Sequence, residues 1–336
     1  RVLILDEPTS VLSAAELEPF LQLLRRLREQ GRVVILVTHK LGEALAVADR
    51  LTVLRHGRRI AEREAALTNE VELATLMMGN AAPPRSASIS SSKTAMPVVE
   101  LQQVTVKAGD RLVLEEISLA LKAGSIVGIA GVDGNGQVEL VEVMAGTRRP
   151  ASGRIRVDAG RRNLDSAVAV IPQNRDVDGL ILDLSLWENL LLFRPLRSRL
   201  GVRYGWIQKS QTAQLCRELI DRFAVRGSGP RALARSLSGG NRQRFVVARA
   251  LAAEPSALIA HDVCRGLDVA AAASLRIRLQ EYAAQGGAVL LISTDLEELF
   301  ELCDSLYVIY RGRLSQARSE PYDPLEIGLL MSGGTQ

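Results

Sequence analysis

The sequence predicts an α/β protein whose sheets are mostly parallel, and three observations carry that prediction. Short apolar runs typical of strands, such as Val33–Val37 and Ile126–Ala130, alternate with longer amphipathic stretches typical of helices. Hydrophobic residues make up 47% and charged residues 24% of the 336 residues, which excludes a disordered or fibrous protein. The pattern at the end of the chain also repeats the pattern at its start, which indicates two related domains.

Residues 1–79 begin with a strand and a helix. The apolar run at 2–5 predicts a buried strand. A capping box that starts at Ser13 begins a helix that reaches about Gln30, and Gly31 ends it. A buried strand needs neighbours on both sides, so we expect sequence to be missing upstream.

The rest of this segment completes a strand and helix alternation. Val33–Val37 predicts a second buried strand, and a short helix follows at about 43–48. Residues 51–55 and 58–61 flank His56 and Gly57 and predict a hairpin.

Residues 80–97 are rich in alanine, proline and serine and predict an extended linker. Residues 98–336 then form a complete unit whose end repeats residues 1–79. Leu267 matches Leu12 and Gly312 matches Gly57, each at an offset of 255 (267 − 12 and 312 − 57). We therefore expect tandem homologous domains of which the first, at 1–79, is truncated.

The strongest chemical signal is the acidic pair Asp6 and Glu7, which ends the first strand where parallel sheets bind ligands. Asp6 is placed to hold the Mg²⁺ of a nucleotide, and Glu7 to orient the attacking water. His39 ends the second strand, where it can contact a γ-phosphate. A solvated acidic turn and a structural histidine are the alternatives.

A second signal is the small-residue segment Ser238, Gly239, Gly240 and Asn241 at the start of a predicted helix. Backbone N–H groups at a helix N-terminus form a ready anion site, and a plain helix cap is the alternative.

Together these motifs resemble the ATPases of ABC transporters, and the resemblance covers everything except the linker. It rests on Leu-Ser-Gly-Gly at 237–240, Asp-Glu-Pro-Thr at 6–9 and Thr-His at 38–39. The resemblance implies P-loop NTPase cassettes with a mostly parallel core sheet, an antiparallel β subdomain and a helical subdomain. It also implies ATP and Mg²⁺ as ligands.

The second domain departs from the family pattern in its phosphate loop. Such a loop reads G-x-x-x-x-G-K-[ST], and its backbone N–H groups, lysine and hydroxyl hold phosphates and Mg²⁺. Here Gln137 replaces the lysine and Val138 replaces the hydroxyl. The resemblance assigns the remaining cradle to Gly131, Asp133, Gly134, Asn135 and Gly136.

Other positions of the second domain also depart from the residues that the family uses for catalysis. The counterparts of Asp6 and Glu7 are His261 and Asp262, and that of His39 is Thr294, while Gln173 is kept. We expect a degenerate site that hydrolyses ATP poorly or not at all, and a glycine turn without a ligand is the alternative. Since ABC cassettes pair head to tail, the resemblance implies that residues 238–241 face ATP held by the first domain.

Within the family the loop sequence looks like that of bacterial importers of simple sugars and nucleosides. This implies membrane permease subunits and indirectly a substrate-binding protein as partners, with the chain peripheral at the cytoplasmic face of the inner membrane. Residues 171–180 and 184–189 match the stretch that meets the permease, with an ordinary loop and helix start as the alternative.

The charge distribution and the composition bear on the partners of the chain and on the other function classes. Residues 194–235 carry ten basic and two acidic side chains, a net +8 that suits a permease or membrane contact or a solvated face.

No apolar run spans a bilayer, and the three cysteines are expected to be reduced. With 4% aromatics, nucleic acid is not expected. A soluble tandem ABC ATPase acting on ribosomes or nucleic acid, and a non-hydrolysing nucleotide-dependent scaffold, remain as alternatives.

Overall fold

A computed structural model gives the fold of the chain in two compact units. It describes residues 2–6, 8–9, 14–38, 40–55, 58–69, 72–73, 76, 96–157, 167–197, 200, 207–227, 229–265, 267, 269–317 and 322–332. The first unit comprises residues 1–88 and 266–275, and the second comprises 89–265 and 276–336.

The predicted elements of residues 1–79 are present. They are β1 (Val2–Asp6), α1 (Ala14–Glu29), β2 (Val33–Val37), α2 (Leu41–Val47), β3 (Arg50–Arg55) and β4 (Arg58–Glu64). β1 and β2 pair in parallel, and β3 and β4 form the predicted antiparallel hairpin. Gly31 follows α1 with a φ of +73°, the left-handed conformation that commonly ends a helix. The predicted capping residue Ser13 lies outside the described residues.

The expectation that β1 and β2 are buried strands is wrong. Alternate residues of both strands are exposed, with Ile4 at 66% and Val33 at 56% exposure. The reason is that the described residues pair β1 with β2 alone, and α1 contacts β2. The uncovered apolar side chains are therefore left facing outward, although their composition is that of a central strand.

The core of the second unit is a six-stranded sheet in the order β13-β12-β7-β11-β10-β9. Its strands are β7 (Ile126–Ala130), β9 (Val168–Ile171), β10 (Ala257–His261), β11 (Ala288–Ser293), β12 (Ser305–Tyr310) and β13 (Arg313–Gln316). All neighbours are parallel except β12 and β13, so the predicted mostly parallel sheet is confirmed.

A separate antiparallel sheet covers this core. It consists of β5 (Pro97–Ala108), β6 (Arg111–Lys122) and β8 (Ser152–Val157) in the order β6-β5-β8. Apolar side chains from both sheets, such as Leu121 and Ile129, are fully buried in one hydrophobic core. The antiparallel β subdomain implied by the resemblance is therefore present.

The remaining helices flank the core sheet or form a helical region. They are α3 (Gln137–Met144), α4 (Leu186–Leu192), α5 (Lys209–Arg222), α6 (Gly239–Ala252), α7 (Val269–Ala284), α8 (Leu296–Leu302) and α9 (Pro324–Ser332). α4 packs on α5, and α5 packs on α6. Among the described helices, none has the length and apolar content that crossing a membrane requires.

The offset of 255 residues recurs in the three-dimensional elements. β1 and β10, β2 and the start of β11, α1 and α7, α2 and α8 all begin at positions that differ by 255 (2 and 257, 33 and 288, 14 and 269, 41 and 296). The strand register agrees, because Val2 pairs with Val33 and Ala257 pairs with Ala288. The repeat predicted from sequence is thus a repeat of local structure.

The three cysteines carry free thiols, as predicted. Burial raises the pKa of Cys216 to about 12 and also raises the pKa of Cys264 and of Cys303. Burial therefore favours the uncharged thiol over the reactive thiolate at all three positions.

Candidate functional site

The first-unit candidates lie at strand ends. Asp6 is the last residue of β1 and its side chain is exposed. The predicted water-orienting Glu7 and the γ-phosphate ligand His39 lie outside the described residues. Their near neighbours Thr9 and Lys40 are described, and both contact the same carboxylate, Glu43.

The glycine loop of the second unit connects β7 to α3, as the sequence predicts. Gly134 and Gly136 have φ values of +87° and +109°, which only glycine adopts without strain. A Cβ atom on Gly136 would come within 2.9 Å of the Val113 carbonyl oxygen. The loop backbone therefore has the tight shape of a phosphate cradle.

Gln137 stands where the family has lysine, and its side chain hydrogen-bonds to the backbone of the loop. Its Oε1 accepts a hydrogen bond from the Asn135 backbone N–H at 3.0 Å, and its Nε2 donates to the Val132 carbonyl at 2.8 Å. The side chain is 4% exposed. One N–H group of the cradle is thus already paired, and the loop contains an uncharged amide in place of a phosphate-binding cation.

Asn135 joins the loop to the hairpin of β12 and β13. Its Oδ1 accepts from the Arg311 N–H and its carbonyl oxygen accepts from the Gly312 N–H, both at 2.9 Å. Its Nδ2 also donates to the Val132 carbonyl at 2.9 Å. This connection could not be predicted from sequence, because Asn135 and Arg311 are 176 residues apart.

Gln173 connects two carboxylates of the predicted site. Its Nε2 lies 2.9 Å from Asp262 Oδ2 and 3.2 Å from Asp133 Oδ1. Asp262 Oδ1 accepts from the Thr294 N–H at 3.0 Å, and Arg265 contacts Asp133 at 3.4 Å. The structure therefore brings together the loop, Gln173 and the strand ends that the sequence assigned to one site.

Burial sets the protonation of the two strand-end groups. It raises the pKa of the Asp262 carboxyl and lowers the pKa of the His261 imidazole, and each is 5% exposed. His261 is consequently an uncharged imidazole at the position where the first copy has Asp6.

These residues do not fit a magnesium ion. Mg²⁺ prefers oxygen ligands, and Val138 and His261 supply none at the positions of the family's hydroxyl and strand-end carboxylate. Among the described residues, no group of three or more His, Cys, Asp and Glu side chains is arranged for a metal. The chemistry of the second site therefore lacks a metal centre of the family type.

The segment at 238–241 begins α6, as predicted. Ser238 is exposed, and its Oγ accepts from Asn241 Nδ2 at 2.9 Å. Asn241 Oδ1 in turn accepts from the Arg226 N–H at 2.9 Å. A Cβ on Gly240 would meet nothing within 4 Å, whereas one on Gly239 would come within 3.0 Å of Arg175. Asn241 thus holds Ser238 in place at an accessible helix N-terminus.

Sequence reasoning missed Arg249, which lies buried in α6. It donates to the carbonyl oxygens of Gly179 and Asn189, and its guanidinium lies 4.4 Å from the centre of the Phe193 ring. Burial lowers its pKa to about 10. The signal was a single cation inside an apolar helical run, which predicts a buried charge with a specific partner.

The comparisons with known proteins bear on the family and the fold of the chain. The family described as "ABC transporter" matches residues 114–263. The chain is 38% identical to the nucleoside import ATP-binding protein NupA of Lactococcus lactis subsp. cremoris over 99% of its length, and to the guanosine import ATP-binding protein NupO of Bacillus subtilis over all of it. The ribose import ATP-binding protein RbsA 1 of Mesorhizobium japonicum is 33% identical over 94% of the chain.

The chain spans about two thirds of the length of these relatives: 67% of the first two and 62% of the third. Solved structures share the fold. One ATP-binding subunit of an ABC transporter has a TM-score of 0.56 at 21% identity, covering 71% of this chain and 95% of that one. An ATP-binding cassette dimer bound to ADP and Pi has a TM-score of 0.54 at 22% identity, covering 66% and 99%. The chain belongs to the ATP-binding proteins of the ABC transporter family.

Proposed function

We propose that this chain is part of the ATP-hydrolysing subunit that drives an importer of nucleosides or simple sugars. The observation that carries the proposal is the 38% identity to two nucleoside import ATP-binding proteins over 99% or more of the chain. Nucleosides are accordingly the first substrate class to test, and simple sugars such as ribose are the second.

The hydrolytic chemistry is assigned to the first copy. Asp6 offers an exposed carboxylate at the end of a parallel strand, which is a suitable ligand for the Mg²⁺ of ATP. When bound, Mg²⁺ neutralises charge on the β- and γ-phosphates. Glu7 orients the attacking water, and His39 contacts the γ-phosphate. A separate candidate phosphate ligand is the N-terminus of α6, at Ser238, Gly239, Gly240 and Asn241.

The second copy is assigned a nucleotide-holding role without turnover. Its cradle of Gly131, Asp133, Gly134, Asn135 and Gly136 keeps a tight backbone, while the uncharged Gln137 contributes no cation. Gln173 is engaged with two carboxylates. A site of this kind binds nucleotide more weakly than a lysine-bearing loop and lacks the groups that activate water.

The assignment of a permease contact rests on exposed apolar side chains. Val177 is 75% exposed in the stretch expected to meet the permease, Ile181 directly after residues 171–180 is 52% exposed, and Leu192 at the end of α4 is 45% exposed. Exposed apolar residues on a loop and an adjacent helix suit a protein interface. The membrane permease then places this chain at the cytoplasmic face of the membrane, and a substrate-binding protein delivers the substrate.

Uptake of radiolabelled substrate tests the proposal. Cells that carry the complete transporter should take up a nucleoside in competition with other nucleosides, and Asp6→Asn should abolish this uptake. Asp110→Asn, an exposed turn substitution, is the matched control and should leave uptake unchanged. Wild-type cells that accumulate neither nucleosides nor simple sugars would contradict the proposed function.

A further inference from the structure

A buried carboxylate in the first copy has no role in the chemistry assigned so far. Glu43 lies on α2 and is 8% exposed. Its Oε2 accepts a hydrogen bond from Thr9 Oγ1 at 2.6 Å, and its Oε1 lies 3.2 Å from Lys40 Nζ. Removing a charge from water is costly unless it is paired, so these two contacts account for its burial.

The partners of Glu43 belong to the two turns that carry the candidate catalytic side chains. Thr9 follows Glu7 by two residues, and Lys40 directly follows His39. The turns are also joined directly, because Lys40 Nζ reaches the Thr9 carbonyl at 3.4 Å. The Lys40 N–H donates to Thr38 Oγ1 at 3.0 Å, which fixes the start of the second turn. One carboxylate thus fastens both strand ends.

The second copy has a buried carboxylate at the equivalent position. Glu298, 255 residues after Glu43, is 1% exposed and accepts from Ser293 Oγ at 2.8 Å. The Asp295 N–H donates to Ser293 Oγ at 3.1 Å, which repeats the contact between Lys40 and Thr38. Cys264, the counterpart of Thr9, faces Glu298.

The cation beside the carboxylate differs between the copies. Position 295 is aspartate where the first copy has Lys40, and Arg276 from α7 approaches Glu298 at 3.9 Å instead. A buried carboxylate that accepts a hydrogen bond from a hydroxyl near a strand end therefore occurs in both copies, beside different cations. The shared element is this buried, hydroxyl-bonded carboxylate, and the identity of the ion pair is secondary.

We propose that Glu43 is a positioning residue that holds the turns following β1 and β2 at a fixed separation, so that Glu7 and His39 meet the same phosphate. The inference rests on the proposed function, since it assigns Glu43 to the hydrolytic site of the first copy. Glu43 acts through Thr9 and Lys40 and makes no contact with substrate. Small displacements of catalytic groups cost rate more than binding, so kcat is the parameter that depends on Glu43.

Steady-state ATP hydrolysis by the assembled transporter gives the first test. Thr9→Val removes the hydroxyl at nearly constant shape and should lower kcat about tenfold or more, with KM for ATP within about twofold. Thr9→Ser keeps the donor and should restore kcat. Glu43→Ala should match Thr9→Val, and Glu18→Ala, at an exposed glutamate on α1, is the control. A loss confined to KM, or equal rates for the valine and serine variants, would overturn the proposal.

Amide hydrogen exchange on the 336-residue chain gives a second test that needs no hydrolysis. Glu43→Ala should raise exchange in peptides from residues 2–13 and 36–48 and leave the hairpin at 50–64 unchanged. A uniform rise over all three peptides, or no rise in the first two, would contradict the positioning role. A transporter without ATPase activity would overturn the proposed function, and the exchange data would still decide whether Glu43 fastens the two turns.

Discussion

Asp6 and His261 end equivalent strands in the same register. Asp6 pairs with Val37 in β1 and β2, and His261 pairs with Ile292 in β10 and β11, with both partners shifted by 255 residues. One copy therefore presents an exposed carboxylate where the other presents a buried, uncharged imidazole. This difference makes the two strand ends chemically unequal, because a carboxylate offers oxygen ligands to Mg²⁺ and an imidazole does not.

The inequality predicts unequal effects of two matched substitutions. In a transporter that hydrolyses ATP and contains this chain, Glu7→Gln should lower phosphate release about 100-fold or more, because the water loses its orienting carboxylate. Asp262→Asn should change the rate by less than about threefold, since its neighbours hold no metal. ATP binding should survive both changes. Equal losses would contradict the assignment of hydrolysis to the first copy.

The 336-residue chain by itself should release phosphate at the background rate. The glycine loop in its sequence carries Gln137 and Val138, so neither a lysine nor a hydroxyl is available to stabilise the transferred phosphoryl group. A coupled phosphate-release assay with purified protein, ATP and Mg²⁺ checks this. Turnover that scales with protein concentration and persists through further purification would overturn it.

Restoring a cation to the loop should strengthen nucleotide binding. The double substitution Gln137→Lys with Val138→Thr releases the Asn135 N–H and adds a charge, and we expect it to tighten binding of a fluorescent ATP analogue about tenfold or more. The increase in affinity for the ATP analogue should be smaller when Mg²⁺ is omitted. Gln214→Lys, which adds the same charge on an exposed part of α5, should have no such effect. Equal gains in both variants would indicate nonspecific charge attraction.

Glu298 predicts a pH dependence of stability. Burial raises its pKa above the ordinary 4.5, and Arg276, Asp295 and Cys264 face it. The carboxyl therefore binds its proton more tightly in the folded than in the unfolded chain, so its contribution to stability is complete below pH 4.5 and is lost as the pH rises through the folded pKa.

Denaturant unfolding at several pH values checks this prediction. The difference in unfolding free energy between the wild type and Glu298→Gln should shift in favour of the glutamine variant as the pH rises from 4.5. Above the folded pKa the difference should become constant. Parallel pH profiles for the two proteins would show that the Glu298 carboxyl titrates normally.

Asn189 predicts a large stability effect in the stretch assigned to the permease contact. Its side chain is 1% exposed, its Oδ1 accepts from the Ile181 N–H, and its Nδ2 donates to the Ser185 carbonyl at 3.0 Å. Asn189→Ala leaves the Ile181 N–H without its acceptor and should cost about 1–3 kcal/mol in urea unfolding. Gln214→Ala on exposed α5 should cost little. A small loss for Asn189→Ala would show that water replaces its contacts.

Sequence patterns were informative where local chemistry decides the structure. Apolar runs placed β2 and β7 at their observed residues, and the offset of 255 anticipated the shared strand register. The exposure of alternate residues in β1 and β2 was not predictable, because a continuous apolar run has the same composition whether or not a neighbouring layer covers it. Only the placement of neighbouring elements reveals the exposed faces.

The proximity of some candidate residues could be predicted from sequence, whereas their individual contacts could not. Motif order brought Gln173 and Asp262 to one site, and the structure places them 2.9 Å apart. The hydrogen bonds of the Gln137 side chain to the loop backbone depend on its rotamer and its burial, and a sequence motif specifies neither. The importance of Arg249 and Glu43 was not predicted for a related reason, because each contacts residues that are distant in the sequence.

The packing around the glycine loop explains why its glycines are needed, whether or not the loop binds a nucleotide. Gly131 is confined by Ile309, and Gly136 by Leu114 and the Val113 backbone, so larger residues would clash there with or without a bound nucleotide. The fold itself requires these glycines. The departures from the family pattern, by contrast, are side chains at four positions: Gln137, Val138, His261 and Thr294. Each of them can be exchanged by point substitution, with no insertion or rebuilding of the main chain.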